Sequence, residues 1–411
     1  FPTRRSADLD GNLYGTSRDG GSADMGTLFR ITLNGNYTTL VSFTGTNGAA
    51  PFAELTVGPD GGLYGTTQLG GSANRGTVFK VTTSGALTTL VSFNSPANGT
   101  PIAGLLLAGD GNFYGCSLGA VFKVTPGGVL TPIAALLPIE GLNPRAGLTL
   151  APDGNLYGST RDGGSKGAGT IFRLTPGGVF TSLFSFDLTN SAAPQSALAL
   201  GQDGNFYGES TLGGHDFVGT LFRFSTNGTF TTLFSFARTD GANPQGQLVM
   251  DASGNFFGAT PGGGPSLDGT VFRVTTNGAL STLVLFNQNN GAAPEDGLTA
   301  GIDGNFYGTT ANGGSHGLGT VFRITPGGSL STLLSFSLTN GASGTTATNG
   351  MTYSVSVSGS TATVTLTKGA GISAVATQSL VNGLAYSNSS QAPAEGTRTV
   401  TLTQIVDSGA G

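Results

Sequence analysis

One phrase recurs seven times along this chain: DGNLYG at Asp10, DGGLYG at Asp60, DGNFYG at Asp110, DGNLYG at Asp153, DGNFYG at Asp203, SGNFFG at Ser253 and DGNFYG at Asp303. Successive starts lie 50 residues apart, except for a step of 43 between Asp110 and Asp153. A fixed period of that size marks one supersecondary unit copied along the chain.

Each copy carries four short stretches, shown here for the fourth. Gly147-Leu148-Thr149-Leu150 precedes the DGN turn, and Leu156-Tyr157-Gly158-Ser159-Thr160 follows it. A Gly-rich loop then leads to Thr170–Thr175, and Pro176-Gly177-Gly178 turns the chain into Phe180–Phe186. Runs rich in β-branched and aromatic residues, bounded by Gly, Pro, Asn and Asp, read as strands. Asp-Gly and Pro-Gly-Gly supply the positive φ that tight hairpins need. Each repeat therefore predicts a four-stranded antiparallel sheet.

One such sheet cannot bury both its faces, so the copies must pack face to face. Four strands per repeat is long for a one-turn β-solenoid and matches a propeller blade. The expected architecture is all-β: a seven-bladed β-propeller over residues 10–342, followed by a partial β-sandwich module over 343–411. The aromatic residues Tyr157, Phe172, Phe180, Phe184 and Phe186 of the fourth copy, with counterparts in most others, supply the core. A buried aromatic contributes about 1.5–3 kcal/mol from its area.

Composition excludes some partners. Charged residues make up 9% of the chain, and the 17 basic side chains form no cluster of the kind a nucleic-acid surface needs. No apolar run approaches the roughly 18 residues of a membrane helix. With two histidines in 411 residues, a His-based metal site is not expected, and no cofactor is. Cys116 stands where other copies carry Thr or Ser and reads as a small buried side chain.

The ends read differently. Residues 1–9 resemble the conceptual translation of a sequencing adapter, with Ala7 where that translation has Ser, and are expected to be an artefact replacing the first strand of the first blade. From about Gly341 the period stops. Met351–Val357 and Thr361–Leu366 alternate around Ser358-Gly359-Ser360, which predicts a half-buried hairpin, and a further strand is expected over Arg398–Thr403.

Two resemblances follow. The repeats, with YGTT, a GG loop, GTVFRIT, TPGG and STLLSF in order and in phase, resemble the GloVer-type tandem repeat of bacterial proteins that carry varied C-terminal surface anchors. That resemblance implies export and a propeller-like fold, and no activity. The tail, with LVNGLAYSNSS and GTRTVTLTQIVDSG, is similar to Ig-like or cadherin-like modules of large bacterial surface proteins. Some of those bind calcium through acidic linkers, but here only Glu395 and Asp407 are available.

Strand order places the DGN and PGG turns at one end of every blade. The GG loops and the connections between blades fall at the other end, which is the expected binding face because loops on a rigid scaffold vary freely. Candidate ligand-binding residues there are Arg18, Asp19, Arg161, Asp162, Glu209, His215, Asp216 and His316. Glu209, His215 and Asp216 form the one compact group resembling acid–base machinery, although three polar residues in an exposed loop are more often simply solvated. The third copy lacks most of its GG loop, which should leave a notch or be a harmless deletion.

A basic residue also recurs in the third strand: Arg30, Lys80, Lys123, Arg173, Arg223, Arg273 and Arg323. It reads as a structural partner of the turn Asp, against the alternative of an anion-capturing ring around the channel. The GG loops are followed by strands, not helices, so a phosphate loop is excluded. Three function classes remain: a bacterial cell-surface or extracellular adhesion module recognising a glycan or protein, a ligand-free spacer, and an extracellular polysaccharide hydrolase or lyase. The reading adopted is the first, as a monomeric propeller that is not an enzyme.

Overall fold

The computed structural model describes residues 10–32, 36–51, 53–95, 99–301 and 303–335, and the backbone of four further strands: Thr3–Leu9, Ser343–Thr345, Thr352–Ser358 and Thr361–Thr367. It falls into two units, Phe1–Ser337 and Leu338–Gly411.

The first unit is a propeller of seven sheets, six of them four-stranded meanders in chain order and the second a meander in which Ala49–Pro51 and Thr56–Val57 both pair with Leu63–Leu69. Blade 4 is representative, with Thr149–Leu150, Leu156–Thr160, Thr170–Leu174 and Phe180–Ser185. Its first strand has two residues where the sequence predicted four. In blade 1 the first strand is Thr3–Leu9, paired antiparallel with Asn12–Ser17. First strands of neighbouring blades contact one another, Thr56–Val57 with Leu106–Leu107 and Val249–Met250 with Thr299–Ala300, so they surround the axis.

The second strand is buried along its whole length, because both of its faces lie against protein: Leu156, Tyr157, Gly158, Ser159 and Thr160 are all inaccessible. This is why in–out alternation fails there. The glycine after the aromatic is a packing residue. A Cβ on Gly158 would stand 2.5 Å from Phe172 Cζ and 3.0 Å from Leu148 Cδ2, so the ring occupies the space a side chain would take.

The core lies between the sheets, one apolar cluster to each seam. Between blades 4 and 5 it comprises Tyr157, Ile171 and Phe186 on one side and Leu198, Phe206, Phe222 and Phe224 on the other. Tyr64 stacks on Phe113 across the seam of blades 2 and 3 with ring centres 4.2 Å apart, and Phe257 stacks on Phe306 in the same way. The ring closes where Val321, Leu333 and Leu334 of blade 7 pack on Phe29 and Ile31 of blade 1. Cys116 is fully buried in the seam of blades 3 and 4, and burial raises its thiol pKa to about 12.

In the second unit, Ser343–Thr345, Thr352–Ser358 and Thr361–Thr367 form an antiparallel three-stranded sheet, and the expected hairpin is its second and third strands. The expected strand Arg398–Thr403 and the acidic Glu395 and Asp407 lie outside the described residues.

Candidate functional site: the loop face at the seam of blades 5 and 6

In blades 4 to 7 the GG loop is pinned to the chain that enters the blade. Leu142 and Asp162 exchange backbone hydrogen bonds, as do Ala192 with Leu212, Ala242 with Gly262 and Ala292 with Asn312. Underneath, a buried hydroxyl pair ties the second strand to the third: Thr160 to Thr170 and Ser210 to Thr220, each at 2.9 Å. The GG loops and interblade connections therefore share one end of the wheel. In blade 3 the loop is reduced to a tight turn between Ser117 and Ala120, with Leu118 left exposed.

The candidate residues are distributed over four blades. Arg18 is exposed and Asp19 half-buried in blade 1. In blade 4, Arg161 Nη1 lies 3.6 Å from Asp162 Oδ2, which also accepts a hydrogen bond from Asn143 Nδ2 at 2.7 Å, so that pair is engaged within its own blade. His316 is exposed in blade 7, its Nδ1 2.8 Å from Ser315 Oγ. In blade 5, His215 Nδ1 and Asp216 Oδ1 are 2.6 Å apart on the surface.

Glu209 does not join them, which corrects the expected compact group. It lies within the second strand Phe206–Ser210, 1% exposed, and its Oε1 stands 2.6 Å from where a Cβ on Gly258 of blade 6 would be. The residues at its slot in other blades are Thr16, Thr66, Cys116, Ser159, Ala259 and Thr309, all buried. Cys and Ala at that slot were the signal of burial.

The basic residues sit on third strands beside the second-strand aromatic: Arg173 pairs in register with Tyr157 and Arg273 with Phe257. Being two strands out from the axis, they form no ring around the channel. Lys80 Nζ lies 2.5 Å from Asp60 Oδ2, and Arg30, Arg173 and Arg223 act on Tyr14, Tyr157 and Tyr207.

What the sequence reading missed is the conformation of the GG-loop corner. Besides the GG pair and the closing Gly, one corner residue of each full-length loop has positive φ: Asp24, Asn74, Gly167, Phe217, Leu267 and Gly317, at 53°, 52°, 75°, 57°, 60° and 72°. Gly adopts this region freely and Asp or Asn tolerate it, whereas a bulky residue is strained there by about 1–2 kcal/mol. Phe217 and Leu267 are nevertheless 60% and 66% exposed, so no core contact compensates the strain. They occupy adjacent blades, 5 and 6.

The connection between those blades passes beside both loops. Asn243 N donates to Val218 O at 2.6 Å and Gly264 N to Arg238 O at 2.8 Å. Asp240 is anchored by Thr270 Oγ1, which donates to its carbonyl at 3.1 Å, and its carboxylate accepts the Ala237 amide at 2.9 Å. Burial raises the Asp240 pKa, and the nearby charge of Asp216 raises it further. The seam thus gathers His215, Asp216, Phe217 and Asp240, whereas Leu267 stands one seam further on, where Asp268 O accepts the Ala293 amide at 2.8 Å. Among the described residues no group of three His, Cys, Asp or Glu side chains is arranged to hold a metal ion.

The repeat family is decided by the match of its characteristic sequence to residues 2–149 and 117–301. The chain belongs to the Gloeobacter/Verrucomicrobia repeat family. No curated protein matches it significantly. The propeller resembles the BP39L lectin of Burkholderia pseudomallei, with 12% identity, TM-score 0.59, and 82% of this chain and 98% of the lectin covered. It also resembles a Bacteroides uniformis protein with the provisional name 6-phosphogluconolactonase, at 16% identity and TM-score 0.54 over 78% of this chain and 94% of that one. A puromycin-hydrolysing peptidase of Mycobacterium tuberculosis matches at 11% identity and TM-score 0.53, over 86% of this chain and 58% of the peptidase. At these identities the likeness is one of fold. It corrects the expectation that the chain is not an enzyme, because propellers of this kind carry enzyme names and the architecture gives no ground for that exclusion.

Proposed function

We propose that this Gloeobacter/Verrucomicrobia repeat protein is a glycan-binding propeller whose ligand lies on the loop face at the seam of blades 5 and 6. The observation that carries the reading is the exposure of Phe217 at a strained corner of that seam, where Gly or Asn would be relaxed. An exposed ring packs against the C–H face of a sugar, and a carboxylate such as Asp216 accepts two hydroxyl hydrogens. The protein acts as a monomer outside the bacterial cell, a placement supported by its low charge content and by the resemblance of its repeats to those of anchored bacterial surface proteins. One of the similar propellers is itself named a lectin.

A second reading rests on Asp240. A carboxyl group raised by burial beside a second carboxylate can hold the proton for glycosidic cleavage, and Asp240 is raised by burial and by Asp216. Asp240 would hold the proton for the leaving oxygen, with Asp216 as the base beside His215.

A glycan array probed with the intact propeller and with Phe217→Gly tests the first reading. Hits lost in the variant support it, and an array without hits overturns it. Release of reducing ends from a bound glycan, abolished by Asp240→Asn, supports the second reading.

A further inference from the structure

Glu209 is, among the described residues, the one carboxylate buried with both oxygens lacking a hydrogen-bond partner. It sits in the seam of blades 5 and 6, against the backbone of Gly258 and the neighbourhood of Phe272 and Leu248. At the same slot in other blades, Thr66 Oγ1 donates to Ala103 O at 3.1 Å and Ser159 Oγ to Ser196 O at 3.4 Å, each reaching into the next blade. A short hydroxyl thus bridges those seams, while in this one a longer ionisable group fills the gap.

A carboxylate left in an apolar seam without a partner is costly, and such a group stays neutral instead. Charged groups on the surrounding elements are Arg223 on the third strand of blade 5, Arg273 on that of blade 6, and Asp216 and Asp240 in the loops. None of them bonds to Glu209, and burial is what raises its pKa well above the ordinary value.

We propose that Glu209 makes the seam of blades 5 and 6 a protonation-sensitive joint: closed while the carboxylic acid keeps its proton, and parted when that proton leaves to solvent and the carboxylate seeks water. The inference goes beyond glycan recognition and needs no ligand, although the joint lies beneath the proposed site.

The sign follows from a folded-state pKa above the unfolded one. The stabilising contribution is complete below the ordinary carboxylate range and is lost as pH rises through the raised value. The test is amide hydrogen exchange of the ligand-free protein at pH 5 and pH 8, corrected for intrinsic rates, in wild type, Glu209→Gln and Glu209→Thr. Exchange along Phe256–Thr260 is expected to rise at least tenfold at the higher pH in wild type and to stay flat in both variants. Equal pH dependence in wild type and in either folded variant overturns the proposal. The Thr substitution places in the seam the residue found at Thr66 and Thr309, so it keeps the comparison available if Gln disrupts folding.

Discussion

Tyr207 donates its phenol hydrogen to Asp203 Oδ2 at 2.8 Å, across the turn that joins the first two strands of blade 5. The same bond joins Tyr64 to Asp60, Tyr114 to Asp110, Tyr157 to Asp153 and Tyr307 to Asp303. In blade 6 both partners change together, to Ser253 and Phe257, while Arg273 stays. The phenol, more than the basic residue, is therefore the partner of the turn carboxylate. Tyr157→Phe should cost about 1 kcal/mol in urea denaturation. Installing Ser253→Asp with Phe257→Tyr should stabilise blade 6 by more than the sum of the single changes, which a double-mutant cycle reads directly.

These turns also set the pH limits of the fold. At Asp203, burial opposes the charge, but hydrogen bonds from Asn205 and Tyr207 outweigh it and the pKa is lowered. At Asp60 the hydrogen bond from Lys80 leads, and the value falls to about 2. Carboxylates with lowered folded pKa stabilise fully above the ordinary range of about 4 and lose that contribution as pH drops through the lowered values. Tyr157 and Tyr207 run the other way: burial, then their Asp partners, raise them to about 12, so stability is lost as alkaline pH climbs toward that value. Thermal melts from pH 2 to 12 should show both flanks, with the loss that belongs to Glu209 lying between them. In Asp60→Asn the acid flank should shrink.

Closure of the ring predicts cooperativity. Val321 of blade 7 is buried against Phe29 of blade 1, so Phe29→Ala should cost about 3–5 kcal/mol, as in an internal seam. The propeller should still melt in one calorimetric transition. A separate early transition of the terminal blades would mean that the seam does not form.

Gly158→Ala should destabilise by about 1–3 kcal/mol through overpacking, since the added methyl meets the Phe172 ring and Leu148. Gly154→Ala in the turn meets no atom within 4 Å and tests φ alone, at +77°. Comparing the two in chemical denaturation separates crowding from backbone strain.

The blades and their turns were legible because each repeat states them in local chemistry: β-branched runs, Asp-Gly and Pro-Gly-Gly. The face on which loops gather followed from strand order alone. Glu209 was misplaced because a polar residue just before a Gly-rich loop looks solvated, and only two-sided packing of the second strand buries it. Phe217 and Leu267 went unread for a related reason: the sign of φ at a loop corner is not written in Phe or Leu, though Gly167 and Asn74 at the same place hinted at it. Asp240 joins Asp216 only through folding, because the connection it sits on is brought beside the loop by the fourth strand Phe230–Ser235.

The strained corners carry the functional account. Phe217→Gly should relieve strain and stabilise the propeller by about 1 kcal/mol, a gain that a residue kept only for stability would not allow. Isothermal titration of an array-selected glycan against wild type and Phe217→Gly is the most direct measurement. The account predicts at least tenfold weaker binding by a variant that is more stable than wild type. Unchanged affinity in that more stable variant would contradict it.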